Sequence, residues 1–225
     1  MTKFNVLLIV EGNEENAFFE IVKQKGVHQN INLEFFNAEG FGNIGPYYQA
    51  YRTQELFDSV LCVYDVDYRQ DENESPYNSV RRDLKEFHGS DEIVTAISFC
   101  TNPNILQFFL LGCDTLKNVE LLKTSKKENS VFVHKYWNEI AKPKVTDDGQ
   151  DATCYYQACE WQLNMMRDSY IYDKYSYDSL LVNANDLSVN YLKKDGPGSN
   201  LTLLLNALKN GNVSFFQDIE KIVRK

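Results

Sequence analysis

Long apolar runs, tandem repeats and glycine- or proline-rich linkers are missing from this sequence of 225 residues. The longest apolar candidate, Ile105–Cys113, is interrupted by Gln107 and Gly112, so no segment is long enough to cross a bilayer as a helix. The N-terminus enters a predicted strand almost at once and lacks the apolar core of a secretory signal. We therefore expect a cytoplasmic protein that is not anchored in a membrane.

Cysteine and histidine are scarce, with five and three residues respectively. No Cys-x-x-Cys pair occurs, and no histidine lies close enough to a cysteine in the sequence to suggest a zinc site. Cys62 and Cys100 fall in predicted strands, where cysteine usually acts as a small buried apolar residue. A disulfide framework is not expected in a chain of this size and composition. No Ser/His/Asp order or Cys/His pair indicates covalent catalysis.

The phosphate-binding loops of nucleotide enzymes are absent as well. Gly40-Phe41-Gly42 lacks the third glycine of a dinucleotide fingerprint, and no Walker lysine pattern occurs. A tight connection between two elements is the favoured interpretation of this glycine-rich turn. A small-molecule phosphotransferase or nucleotide-binding enzyme is therefore a weak alternative.

The sequence has fewer basic than acidic residues: 23 Lys and Arg against 32 Asp and Glu, which gives a net charge of −9. This balance argues against a protein that coats DNA through a broad basic surface. It does not exclude a nuclease, since a bound cation offsets local negative charge. The local clusters Arg81–Arg82 and Lys126–Lys127 are candidate nucleic-acid contacts. The alternative for each is a solvated helix face or loop.

Two apolar runs that end on carboxylates are the most informative feature present. Val6–Val10 is followed by Glu11, and a second run through Tyr64 is followed by Asp65 and Asp67. Apolar runs without polar alternation are typical of strands buried on both faces of a parallel sheet. Open α/β sheets keep their sites at the carboxyl ends of such strands. The sequence therefore predicts a site at these two strand ends.

Strands and helices alternate over the first hundred residues. Strands are predicted at Asn5–Glu11, Ile31–Asn37, Val60–Asp65 and Ile93–Cys100, with helices between them near residues 13–26, 47–56 and 77–88. This order predicts an α/β fold with a mostly parallel sheet flanked by helices. Beyond residue 100 the pattern becomes mostly helical. Helices are predicted at Ile105–Gly112, Val131–Ile140, Asp151–Asp168, Leu201–Leu208 and Phe215–Val223.

The carboxylates at the two strand ends suit a hard divalent cation such as Mg²⁺. Asp65 and Asp67 are two residues apart, so both can face one point in an extended chain. Glu15 lies one helical turn after Glu11 and is a candidate further ligand. Structural alternatives exist, because Glu14 and Glu15 suit the first turn of a helix and Asp-x-Asp is common in turns.

Val10-Glu11-Gly12-x-x-Glu15, taken with Asp65-x-Asp67, resembles the Toprim domain of topoisomerases, primases, OLD-type nucleases and small RNA-maturation nucleases. Ser98-Phe99-Cys100-Thr101-Asn102-Pro103 is similar to a Ser-Asn-Pro segment of RloB-like Toprim proteins. Gly198-Ser199-Asn200-Leu201-Thr202 is compatible with the C-terminal part of that family. The resemblance implies a Toprim-like domain at residues 1–102 and a helical region at residues 103–225 packed on it.

The resemblance also implies a function in bacterial anti-phage defence, often beside an ATPase of the ABC or SMC type. Glu11, Asp65 and Asp67 would be catalytic and would hold Mg²⁺ or Mn²⁺, with Glu15 as a further ligand. The substrate would be RNA such as tRNA, or DNA, and a homodimer is one option for the assembly. RloB-like proteins usually carry a glutamate soon after the Asn-Pro pair, whereas Asn104-Ile105-Leu106-Gln107 has no carboxylate. A catalytically inactive sensor or scaffold subunit is therefore the alternative.

Overall fold

A five-stranded sheet is the main feature of the computed structural model, which describes residues 3–66, 76–102, 105, 108, 176–184, 187, 189 and 198–225. The strands are β1, Phe4–Val10; β2, Ile31–Asn37; β3, Ser59–Asp65; β4, Ser98–Asn102; and β5, Gly198–Ser199. They are ordered β2-β1-β3-β4-β5. The first four run parallel, whereas β5 pairs with β4 in the antiparallel direction. The predicted mostly parallel sheet is confirmed.

The described part of the chain contains seven α-helices, besides a short 3₁₀ helix at Phe41–Asn43. They are α1, Asn13–Lys25; α2, Ile44–Thr53; α3, Pro76–His88; α4, Asp91–Ile97; α5, Tyr177–Ala184; α6, Leu201–Asn210; and α7, Val213–Val223. Apart from β5, the regular elements described after β4 are helices, which confirms the predicted helical C-terminal part. Among the described residues, no helix is long and apolar enough to pass through a membrane.

The chain divides into two compact units. The first comprises Met1–Ile105, Ser188–Lys194 and Gly198–Lys225, and it holds the whole sheet together with every described helix except α5. The second comprises Leu106–Leu187 and Asp195–Pro197, and its described part includes α5. The predicted boundary after residue 102 stays a prediction. The helices predicted at Val131–Ile140 and Asp151–Asp168, and nearly all of Ile105–Gly112, lie outside the described residues.

The two central strands are buried because helices cover both faces of the sheet. β3 is buried along its whole length, and Val6–Val10 of β1 is equally inaccessible. Neighbouring residues of a strand point to opposite faces. Phe35 of β2 therefore meets Phe19 of α1 at 6.4 Å between ring centroids, whereas Phe36 meets Tyr47 of α2 at 4.6 Å. This arrangement explains why the apolar runs show no polar alternation.

Cys62 of β3 and Cys100 of β4 are free and buried, as predicted. Burial raises the pKa of the Cys62 thiol well above its ordinary value, and the pKa of the Cys100 thiol is raised for the same reason. A thiol that stays protonated is a poor nucleophile and a poor metal ligand. Both side chains therefore contribute packing, in agreement with their predicted structural role.

The strand predicted at Ile93–Cys100 is wrong over its first five residues, because these belong to α4 and β4 begins at Ser98. Ser90 caps this helix, its hydroxyl oxygen accepting a hydrogen bond of 3.4 Å from the amide of Ile93. Acidic residues in the first turn suit the positive end of the helix dipole. The buried pair Val94 and Ile97 has helical spacing. A capping serine and a helical spacing of buried residues therefore accompany a segment whose apolar content alone indicated a strand.

We predict that Gly211→Ala lowers the free energy of unfolding by about 2 to 3 kcal/mol, the combined cost of a strained backbone and an overpacked contact. Gly211 ends α6 with a φ of 65°, in the left-handed region. A Cβ at this position would lie 2.5 Å from His28 Nδ1. Urea denaturation followed by circular dichroism measures the loss.

Gly89→Ala is the matched control for this substitution. Gly89 has a φ of 70°, but a Cβ there would meet no atom within 4 Å. Its substitution should cost about 1 kcal/mol, from backbone strain alone. Equal losses in the two variants would contradict the predicted clash with His28.

Candidate metal centre

The carboxyl ends of β1 and β3 are joined by the residue that follows β1. The amide of Glu11 donates a hydrogen bond of 3.0 Å to the carbonyl of Val63 in β3. The Glu11 side chain returns across the same pair of strands, and its Oε2 accepts a hydrogen bond of 2.9 Å from the amide of Asp65. Glu11 therefore fixes the backbone of Asp65, the last residue of β3, against the end of β1.

The chain turns from β1 into α1 at Gly12, and this turn places two glutamates at the start of the helix. Glu14 and Glu15 occupy the first turn of α1, where negative charge suits the helix dipole. Glu15 Oε2 accepts a hydrogen bond of 2.9 Å from the amide of Gly12, which caps the helix. The capping role that the sequence left open for Glu15 is therefore present.

Glu14, Glu15 and Asp65 form a cluster of three carboxylates. Each offers one oxygen, and the three oxygens lie within 4.8 Å of one another. Glu15 is 2% exposed and Asp65 is 6% exposed, whereas Glu14 is only partly buried. Two of the three carboxylates therefore lie in the protein interior.

The end of β2 lies beside the same strand ends. The amide of Gly40 donates a hydrogen bond of 2.8 Å to the carbonyl of Glu11, and Asn37 donates through Nδ2 to Asn13 Oδ1 at 2.9 Å. Gly40 has a φ of 128°, which favours glycine. The glycine-rich turn thus serves as a tight connection, as interpreted from the sequence, and it braces Glu11.

Of the four ligands predicted from sequence, Asp65 and Glu15 lie in the cluster. The Glu11 carboxylate accepts a hydrogen bond from the backbone amide of Asp65. Asp67 lies outside the described residues. Glu14, which the sequence assigned to the first turn of a helix, is the additional member. Its position before Glu15 was the available signal, but only the fold, which brings the first turn of α1 to the end of β3, places its carboxylate near Asp65.

Comparison of the sequence with protein-family models and with curated proteins finds no match. Among solved structures, the chain is similar to the C-terminal region of the Burkholderia pseudomallei OLD protein. The likeness covers 97% of this chain and 98% of the other, at 15% sequence identity and a TM-score of 0.37.

Arg81 and Arg82, both predicted to contact nucleic acid, have different surroundings. The Arg81 side chain is 20% exposed, lies 5.5 Å from the ring centroid of Tyr77 and donates to Thr95 Oγ1 at 3.2 Å, which connects α3 with α4. Arg82 is 66% exposed. Lys126 and Lys127 lie outside the described residues. A nucleic-acid contact by any of these side chains stays a prediction.

The donor set of the cluster fits a hard divalent cation. Carboxylate oxygens are the ligands that Mg²⁺ and Mn²⁺ prefer. Ionised carboxylates this close repel one another, and a dication held among Glu14, Glu15 and Asp65 would be attracted to each of them. The three side chains could therefore hold a metal ion.

Proposed function

We propose that the protein is a Toprim-like nuclease that hydrolyses nucleic-acid phosphodiesters with Mg²⁺ or Mn²⁺. The observation that supports this proposal is the convergence of Glu14, Glu15 and Asp65 within 4.8 Å at the carboxyl edge of a parallel sheet. Open α/β sheets place their sites at this edge. The sequence pattern of Glu11, Asp65 and Asp67 resembles the Toprim pattern at the same place.

The roles of the residues follow from their positions. Glu14, Glu15 and Asp65 would hold the cation, and Asp67 is the further ligand predicted from sequence. When bound, a divalent cation polarises a phosphoryl oxygen and lowers the pKa of bound water. Glu11 Oε2 holds the Asp65 amide, which fixes the strand end that carries this ligand. The resemblance to Toprim proteins would make Glu11 itself a ligand or a general acid–base.

The biological role that we propose is that of an effector in anti-phage defence, with RNA such as tRNA, or DNA, as the substrate. A net charge of −9 disfavours tight binding of nucleic acid by the isolated chain. This balance supports control in trans by a partner, for which an ABC or SMC-type ATPase is our proposal. A purified chain that cuts nucleic acid as fast as the complex would refute this control.

The decisive experiment measures cleavage of RNA and DNA substrates by the wild type, Glu11→Ala and Asp67→Asn, in Mg²⁺, in Mn²⁺ and in EDTA. We expect cleavage by the wild type that EDTA removes, and a loss of about 100-fold or more in each variant, the scale on which removal of a preorganised charged group acts. Equal residual activity in all three proteins would refute the nuclease.

A non-catalytic subunit of a defence complex is the second candidate. The absence of a carboxylate from Asn104-Ile105-Leu106-Gln107 favours it, because RloB-like proteins usually carry a glutamate there. This candidate predicts a stable complex with the ATPase and no metal-dependent cleavage by that complex. Cleavage that depends on Asp67 in the complex would exclude it.

A further inference from the structure

We propose that Ser199 and Asn200 are positioning residues of the candidate metal centre, acting on Asp65 through β4. The inference rests on the proposed function, because it concerns how the same centre is held. Ser199 is the last residue of β5, and Asn200 stands between β5 and α6. Both lie about a hundred positions along the chain from β4, the strand that they contact. Both belong to the same compact unit as the centre.

The side chain of Asn200 takes the place of a strand neighbour along the outer edge of β4. Its Oδ1 accepts a hydrogen bond of 2.7 Å from the amide of Cys100, and its Nδ2 donates one of 2.8 Å to the carbonyl of Ser98. Ser98 and Cys100 are fully buried. Because an unpaired buried backbone group is costly, the Asn200 amide satisfies two groups that the short β5 does not reach.

The hydroxyl of Ser199 completes this edge. Its single proton is donated to the carbonyl of Cys100 at 2.7 Å, and its oxygen accepts the amide of Leu201 at 2.9 Å. Thr101 Oγ1 lies 3.2 Å from the same oxygen. Since the Ser199 proton is already engaged, Thr101 must be the donor in this contact. Ser199 thereby holds Thr101 in two ways. It accepts a hydrogen bond from the Thr101 hydroxyl, and it donates one to the carbonyl of Cys100, the residue before Thr101.

Thr101 connects this edge to the centre. It pairs with Asp65 in the register of β3 and β4, and its carbonyl accepts a hydrogen bond of 2.9 Å from the amide of Val66. Val66 directly follows Asp65, so this hydrogen bond holds the peptide that leaves the end of β3. A path of direct hydrogen bonds therefore leads from Ser199 through Thr101 to the peptide that follows Asp65.

The experiment compares Ser199→Ala and Asn200→Ala with the wild type in two measurements. Hydrogen exchange followed by NMR should show exchange of the Val66 amide that is faster by about tenfold, as expected when a local opening becomes easier. Isothermal titration with Mn²⁺ should show about tenfold weaker binding, the lower end of the effect of losing groups that orient metal ligands.

Two control variants separate positioning from a general loss of stability. Asn206→Ala removes a hydrogen bond of 2.9 Å from the same C-terminal segment, but its partner is the carbonyl of Thr202 inside α6. Phe216→Leu weakens the core beside Phe4, which begins β1 and lies at the opposite end of that strand from Glu11. Both controls should keep the wild-type Mn²⁺ affinity and the wild-type exchange rate of Val66.

The possible failures can be told apart. A wild type that binds no Mn²⁺ would refute the proposed function, and Val66 exchange would then decide the positioning alone. Wild-type Mn²⁺ affinity together with unchanged Val66 exchange in Ser199→Ala and Asn200→Ala would overturn the positioning role. Equal effects in Phe216→Leu would also overturn it, because they would reduce the role of Ser199 and Asn200 to ordinary stabilisation.

Discussion

The Asp65→Asn variant is expected to cleave nucleic acid about a thousandfold more slowly than the wild type in Mg²⁺, the upper end of the effect of removing one preorganised charged group. Asparagine keeps the size of the side chain, and the backbone amide of residue 65 can still donate its hydrogen bond to Glu11. The substitution therefore removes one carboxylate from a cluster of three. A single-turnover cleavage assay with saturating enzyme measures the loss in the chemical step.

Metal binding gives an independent measurement of the same substitution. Mn²⁺ at 100 times its dissociation constant should stabilise the wild type by about 2.7 kcal/mol, through mass action on the folded state. Asp65→Asn should lose most of this stabilisation. Glu20→Gln is the matched control. It also replaces one carboxylate by an amide, but Glu20 lies in α1 and outside the cluster. Full Mn²⁺ stabilisation of Asp65→Asn would show that Asp65 is not a ligand.

The positions of the central strands and of the candidate site can be predicted from sequence, because a strand that is buried on both faces has a recognisable apolar pattern. Val6–Val10 and the run that ends at Asp65 are apolar at every position or nearly so, as a strand covered on both faces must be. Parallel strands deliver their carboxyl ends to one edge of the sheet. The encounter of Glu11 with Asp65 is therefore predictable from two separate runs of sequence.

The remainder of the site depends on contacts that no local pattern encodes. Glu14 joins Asp65 because α1 lies against the end of β3, and the same sequence suits an ordinary first turn. The two residues of β5 pair with a strand about a hundred positions away, and the side chain of Asn200 supplies part of that pairing. Residues 93–97 are apolar enough for either structure, so the Ser90 cap was needed to select the helix.

Arg52→Ala is expected to lower the free energy of unfolding by about 3 to 5 kcal/mol, the usual cost of removing one partner from a buried ion pair. Arg52 Nη1 lies 2.7 Å from Glu220 Oε2 and joins the end of α2 to α7. Their side chains are 16% and 9% exposed. Urea denaturation at pH 7 and constant ionic strength measures the loss.

The expected loss of stability is large because Arg52→Ala leaves the buried Glu220 carboxylate without its nearest cation. Among the described residues, no group donates an aligned hydrogen bond to the Glu220 carboxylate, so its charge depends on the cations beside it. Arg224 is 3.8 Å away and largely open to solvent, which makes it a weak substitute.

The double variant Arg52→Met/Glu220→Leu tests this explanation against simple loss of packing. Apolar side chains of similar volume remove both charges together, and replacement of a whole buried pair is often neutral or stabilising. We therefore expect the double variant to be more stable by about 2 kcal/mol or more than Arg52→Met, which keeps the same volume at position 52 but leaves Glu220 charged. If the double variant is as unstable as Arg52→Met, the loss comes from packing between α2 and α7 and the isolated charge of Glu220 contributes little. If it recovers most of the wild-type stability, the desolvated carboxylate is the cause, and the ion pair selects the partner of α2 without adding net stability.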